Sequence, residues 1–177
     1  MKKIIIIFFL MIILSGCKKE TASDVVKEYL NNYQNVVSSV KSSINKTINE
    51  HKEFSTNHKK IYYKILINQY KTLKYTILSE EYDDDKAIIK VRINVNNLYN
   101  ADNNSMNYLS KNLSEFYNEK NEFDQDKYIT YKLNLMLNTK DRVDYDIVFF
   151  LNYKNKRWIL KNPTESDLEK IHGIYKE

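Results

Sequence analysis

The stretch from Ala87 to Val95 constrains the fold more than any other. Ala87, Ile89, Val91, Ile93 and Val95 alternate with Ile88, Lys90, Arg92 and Asn94. Side chains on a strand point to opposite faces with period two, so this is a strand with one buried face and one mostly wet face. Such a strand needs antiparallel neighbours and a layer to cover its apolar side. Leu73, Tyr75 and Ile77 alternate with Lys74 and Thr76, which gives a preceding strand, and the hairpin between the two closes across Asp83-Asp84-Asp85. Val143, Tyr145, Ile147, Phe149, Leu151 and Tyr153 form a third strand. Its opposite face adds Val148 and Phe150, which predicts a central strand with helices over part of its second face. Lys154 to Lys156 turn the chain into a fourth strand, Arg157 to Lys161, with Trp158 and Leu160 facing one way and Pro163 ending it.

Helical spacing appears on either side of the first hairpin. Val25, Val26, Tyr29, Leu30, Tyr33, Val36, Val37, Val40, Ile44 and Ile48 make one apolar stripe, read as a helix from Ser23 to near Glu50. Thr21 or Ser23 supplies its cap, and Asp24 sits in its first turn. Serines and β-branched residues from Val37 to Ser43 lower helix propensity and leave room for a bend. A second helix runs from about Thr56 to Tyr70. Between the hairpins, Met106, Leu109, Leu113 and Phe116 recur at helical spacing. A further helical stretch starts at Asp124 and carries Tyr128, Ile129, Leu133 and Met136, although Leu133, Leu135 and Leu137 also alternate as a strand would. Thr164 caps a short last helix that Gly173 terminates. The expected architecture is α+β: N-terminal helices packed on a curved, mainly antiparallel four-stranded sheet of two hairpins, with a helical insert between the hairpins. One domain is expected over residues 23–177.

Composition removes several classes of chemistry. The chain has 1 Cys, 2 Gly and 1 Pro among 177 residues. Gly16 and Gly173 are far apart, so Gly-rich phosphate loops, dinucleotide fingerprints and the nucleophile elbow are excluded. The formal net charge is +5, too small and too dispersed to argue for nucleic acid.

The single cysteine closes the N-terminal stretch. Lys2 and Lys3 give a positive start, and Ile4 to Leu14 is an unbroken apolar run. That run is about eleven residues, short of the roughly twenty that span a bilayer. A positive flank, a short apolar run and small residues at its end describe a secretory signal peptide. Leu14-Ser15-Gly16-Cys17 resembles the lipobox of bacterial lipoproteins at all four positions. The resemblance implies a signal peptide over 1–16, cut between Gly16 and Cys17, and a diacylglyceryl or palmitoyl-bearing Cys17. Residues 17–22 then form the lipidated cysteine and a tether, of which Lys18 to Ala22 span at most about 17 Å. Removal of Lys2 and Lys3 leaves 26 bases against 23 acids, a net charge of +3.

The tyrosine-isoleucine strand, the acidic turn, the strand DKAIIKVRI and the later NKRWIL strand are similar to the cone-shaped nuclear-transport-factor-2-like (cystatin-like) superfamily. More narrowly, they resemble domains of unknown function in small bacterial lipoproteins of that fold. The resemblance implies a pocket between sheet and first helix, which makes Tyr29, Tyr33, Tyr75, Tyr145 and Trp158 candidate pocket residues by position. It also implies a membrane-anchored, extracytoplasmic, non-enzymatic module that binds an envelope ligand or a protein partner at the bacterial cell surface. The alternative it leaves open is an envelope-associated enzyme of the same fold. No catalytic residue, metal ligand or cofactor is expected, and no nucleic acid partner.

Other polar residues read as structural. His51, His58 and His172 lack carboxylates at metal spacing and read as solvated. Asp83-Asp84-Asp85 lacks the spaced oxygen ligands of a calcium loop and reads as a solvated turn. Asp144 and Asp146 share a strand face near Asp141 and Arg142, and read as the polar face of an edge rather than an acid–base set. Most of the 15 tyrosines serve core packing with the hydroxyl reaching water.

Overall fold

A computed structural model describes residues 20–176. The lipobox, with Gly16 and Cys17, lies outside the described residues. The chain enters the fold through a capping box at Thr21. Its Oγ1 accepts from the Asp24 N–H at 3.2 Å, and the Asp24 carboxylate accepts from the Thr21 N–H at 3.2 Å. Helix α1 follows, Ala22–Gln34, burying Ala22, Val26 and Leu30.

The stripe read as one helix to Glu50 is two helices. Helix α1 stops in a Schellman motif, with Val37 N–H donating to Asn32 O and Val36 N–H to Tyr33 O. The left-handed position of that motif is Val36, at φ 47°. Helix α2, Ser38–Glu50, then leaves at a new angle with Val40, Ile44 and Ile48 buried. Helix α3, Thr56–Lys71, opens with Ser55 and His58 capping one another.

Strands β1 (Lys74–Asp83) and β2 (Lys86–Asn96) form the first hairpin, turning at Asp84. Helix α4 (Leu98–Lys111), a 3-10 turn (Leu113–Phe116) and helix α5 (Gln125–Asn138) make the insert. Leu133 is therefore helical despite its alternating neighbours, because α5 lies along α3 and α4 and buries Ile129, Leu133 and Met136. Strands β3 (Arg142–Lys154) and β4 (Arg157–Leu160) form the second hairpin, turning on Asn155 and Lys156, both at positive φ. Helix α6, Glu165–His172, ends at Gly173 in the left-handed region, as expected.

The sheet is antiparallel throughout, in the order β1-β2-β3-β4. One face is packed: Ile89, Val91, Ile93, Ile147, Phe149 and Leu151 are buried beneath α1, α3 and α6. The other face is open. Val148 and Phe150 are 38% and 48% exposed, so the expected helical cover on the second face of β3 is absent among the described residues. The insert stays on the same side as the other helices, because α5 packs on α3 and α4 packs on α5 rather than crossing to the other face.

Register fixes the two ends of the sheet. Both tight turns, at Asp84 and at Asn155-Lys156, lie at one end, and Tyr153 N–H donates to Asp85 O between them. The insert is rooted at the opposite end, where Asn96 pairs with Arg142.

Candidate functional site

Five aromatic positions are candidates for one pocket, and they lie at three places. Tyr29 and Tyr33 stand one turn apart on α1 with their hydroxyls 3.2 Å apart. Tyr29 packs edge-on to Phe149 of the sheet, and Tyr33 edge-on to Tyr70 of α3. Desolvation raises the Tyr29 and Tyr70 hydroxyls above the ordinary phenol range, so both stay protonated donors. Tyr75 donates to Asn31 Oδ1 at 2.8 Å, tying β1 to α1. Tyr145 is 5% exposed and donates to Tyr175 O beyond α6. Trp158 stands apart, near the turn end, against Tyr82 and Tyr153 with ring centroids 5.6 and 5.0 Å away. The space between first helix and sheet is thus filled by these side chains at Tyr29 and Tyr33, and the residues there knit α1, α3 and α6 together.

The histidines are not all solvated. His58 is buried at 1% exposure. Its Nδ1 accepts from the Ser55 N–H, so Nε2 carries the proton and faces Thr130 Oγ1 at 2.9 Å. His172 joins α6 to α3 through Tyr70, whose hydroxyl lies 2.8 Å from Nδ1. Burial depresses the His172 imidazole to about 4, so it is neutral and accepts from Tyr70. His51 stacks on Phe54 at 4.5 Å and pairs with Glu53 at 2.8 Å.

The aspartates of β3 lie on the open face of the sheet, in the stretch of β3 that β4, paired only over Leu151 to Lys154, leaves as an edge, as the sequence reading expects. Asp146 accepts two bonds from Arg92 and lies 3.2 Å from Lys90, and these bonds hold its carboxyl down to about 2. Asp144 accepts from Asn94 at 2.6 Å, and Asp141 from Asn100 at 2.7 Å. Arg142 turns away from all three. It donates to Asn94, to Asn96 Oδ1 and to the carbonyls of Thr72 and Asn94, locking the root of the insert. Asp83, Asp84 and Asp85 are exposed at the turn. Among the described residues no group of three His, Cys, Asp or Glu is placed to hold a metal ion.

One concave apolar arrangement was not foreseen from the sequence. A cleft of about 380 Å³ opens between the α2–α3 loop and the insert. Phe54, Leu109, Phe123, Tyr128 and Ile129 form its apolar wall. His51 with Glu53 and Lys132 supply its polar edge, and Lys132 is paired with Asp102 at 2.6 Å. Phe123 is 44% exposed, and Met106 and Leu113 of the insert are 49% and 45% exposed. A concave apolar wall with few polar groups at the rim suits a compact apolar group carried by a larger partner. Its residues come from three separate segments, so no motif marks them.

Comparison of the chain with protein-family models, with curated proteins and with solved structures finds no match. Among the described residues no helix is long and apolar enough to cross a membrane.

Proposed function

We propose that this chain is a bacterial lipoprotein, anchored through Cys17 on the extracytoplasmic face of the cell membrane, with a nuclear-transport-factor-2-like domain that binds a protein partner without catalysis. The anchor rests on Leu14-Ser15-Gly16-Cys17 after a short apolar run, with the fold beginning at Thr21. Two acyl chains give stable attachment where one is marginal. The binding role rests on the cleft between the α2–α3 loop and the insert, whose wall includes the exposed Phe123. An exposed apolar wall in a concave site marks a contact surface. The occupant is an apolar anchor side chain of an envelope protein, which Phe54, Leu109 and Ile129 surround.

Two measurements test the two halves. Cells fed labelled palmitate label the parent chain, whereas Cys17→Ser is unlabelled and either leaves the membrane fraction or keeps its leader uncut; a variant as labelled, as membrane-bound and as fully processed as the parent refutes the anchor. For binding, a photoreactive residue at position 123 on intact cells identifies the partner. Its affinity for purified Leu109→Glu then falls about tenfold or more, the loss expected when a central contact is removed. Ile159→Glu on the open sheet face leaves affinity unchanged. The opposite order of effects places the contact on the sheet and removes the cleft from the account.

A further inference from the structure

We propose that the end of the sheet carrying both hairpin turns lies flat against the lipid surface, with Trp158 and Tyr82 seated among the headgroups. The inference rests on the lipoprotein reading above and adds an orientation to it.

The first observation is where the described chain begins. Glu20 and Thr21 line a recess of about 330 Å³ together with Tyr82, Asp84, Tyr153 and Trp158. Only Lys18 and Lys19 lie between Cys17 and Glu20, and three residue steps reach at most about 10 Å. The recess therefore sits within about one headgroup layer of any membrane that holds the Cys17 lipid. The capping box at Thr21 fixes the point at which the described chain enters the fold, beside this recess.

The second observation is chemical. Tryptophan and tyrosine are enriched at membrane–water boundaries, because each has an apolar body and a polar tip. The chain has one tryptophan, and it lies here, in contact with Tyr82 and Tyr153. Tyr82 is 50% exposed, although it stands in the inward-facing register of the sheet opposite Ala87. Its hydroxyl donates to Glu80 at 2.9 Å beside the first turn of α1, and the exposed half of the ring forms an aromatic rim with Trp158 at the end where the chain enters.

Charge decides which lipids matter. Lys154, Lys156 and Arg157 are exposed on one turn, and Asp83, Asp84 and Asp85 on the turn beside it. Opposite charges at similar depth largely cancel, so anionic lipid is not the determinant. Aromatic seating on a zwitterionic surface is the dominant contribution.

The lone tryptophan makes the test direct. The mature protein, purified from membranes, is placed in phosphatidylcholine vesicles whose lipids carry bromine either near the glycerol or near the chain end. Trp158 emission shifts to the blue relative to soluble Cys17→Ser, and bromine near the glycerol quenches it more than bromine near the chain end. A chain that stays on the vesicles while Trp158 remains unquenched, and as open to acrylamide as in Cys17→Ser, overturns the orientation and leaves the anchor intact. A chain that bears no acyl group and does not partition into vesicles removes both. A second reporter, Tyr108→Trp in a Trp158→Phe background, reads α4 at the insert; it stays unquenched, and quenching equal to that of Trp158 overturns the orientation.

Discussion

Val36 and Gly173 do the same task with opposite chemistry. Each is the left-handed residue of a Schellman motif, Val36 at φ 47° and Gly173 at φ 72°. Glycine is the ordinary choice, and at Gly173 it is required. A Cβ there would run into the Asn96 carbonyl and the Gln69 side-chain amide. Valine in that region costs about 1–2 kcal/mol. Burial of its side chain, at 3% exposure, returns about 1.5–3 kcal/mol, so burial wins. The two terms separate by mutation. Val36→Ala loses the burial and keeps the strain, whereas Val36→Gly loses both. Thermal unfolding should show Val36→Gly the more stable of the two by about 1 kcal/mol, the reverse of their order inside a helix. This is also why the stop at Gly173 is legible in the sequence and the break at Asn35–Val37 is not. Low helix propensity from Val37 to Ser43 leaves room for a bend, but nothing in a β-branched residue announces a left-handed stop at Val36, and the apolar stripe runs straight through it.

The elements are tied together by side chains that are far apart in sequence. Tyr70 and His172 are 102 residues apart, and His58 and Thr130 are 72 apart. A lone histidine in a polar stretch reads as solvated because its partner is supplied by another element. Neutral His172 has a stability consequence. Its imidazole is depressed to about 4 in the fold against 6.5 ordinarily. Between those values the unfolded chain holds the proton and the folded chain does not, so stability falls as pH drops from 6.5 through 4. The docking of α6 on α3 weakens over that window. In a series of melting temperatures across it, the parent should lose more stability than His172→Gln, whose amide still bonds Tyr70 and does not titrate there. Parallel slopes would show that His172 is solvated and uncoupled. The insert shows the limit of pattern reading at the same scale. Leu133, Leu135 and Leu137 alternate as in a strand, and only the apolar side of α3 and α4 selects the helix.

For the molecule as a whole, the sheet is one-sided. Phe149 is 2% exposed and faces α1, while its neighbour Phe150 is 48% exposed and faces solvent. Phe149→Ala should cost about 3–5 kcal/mol by denaturant unfolding and Phe150→Ala well under half of that. Similar costs would mean that the open face is covered in solution. The order of elements, both hairpins and the buried face of each strand were legible from period-two alternation. The open face of β3 was not, because an apolar residue on a strand looks the same whether a helix covers it or water does. The candidate pocket divides in the same way. Tyr29 and Tyr33 belong to the interior and Trp158 to the turn end, while the cleft at Phe54, Leu109 and Phe123 is assembled from loop and insert by tertiary contact alone.

The insert has a kinetic side as well. It lies between the two central strands, so their nearest paired residues, Asn96 and Arg142, are 46 apart in sequence. Closing that loop costs about 1–2 kcal/mol more than closing a ten-residue connection. Each hairpin forms through its own tight turn on a microsecond timescale, but joining them waits on the longer closure. Until then Ile89, Val91, Ile147 and Phe149 have no second strand beside them, and two separate sticky edges persist. Arg142, which bonds β2 and the chain before β1 at once, is placed to end that interval as soon as the insert has brought its two roots together.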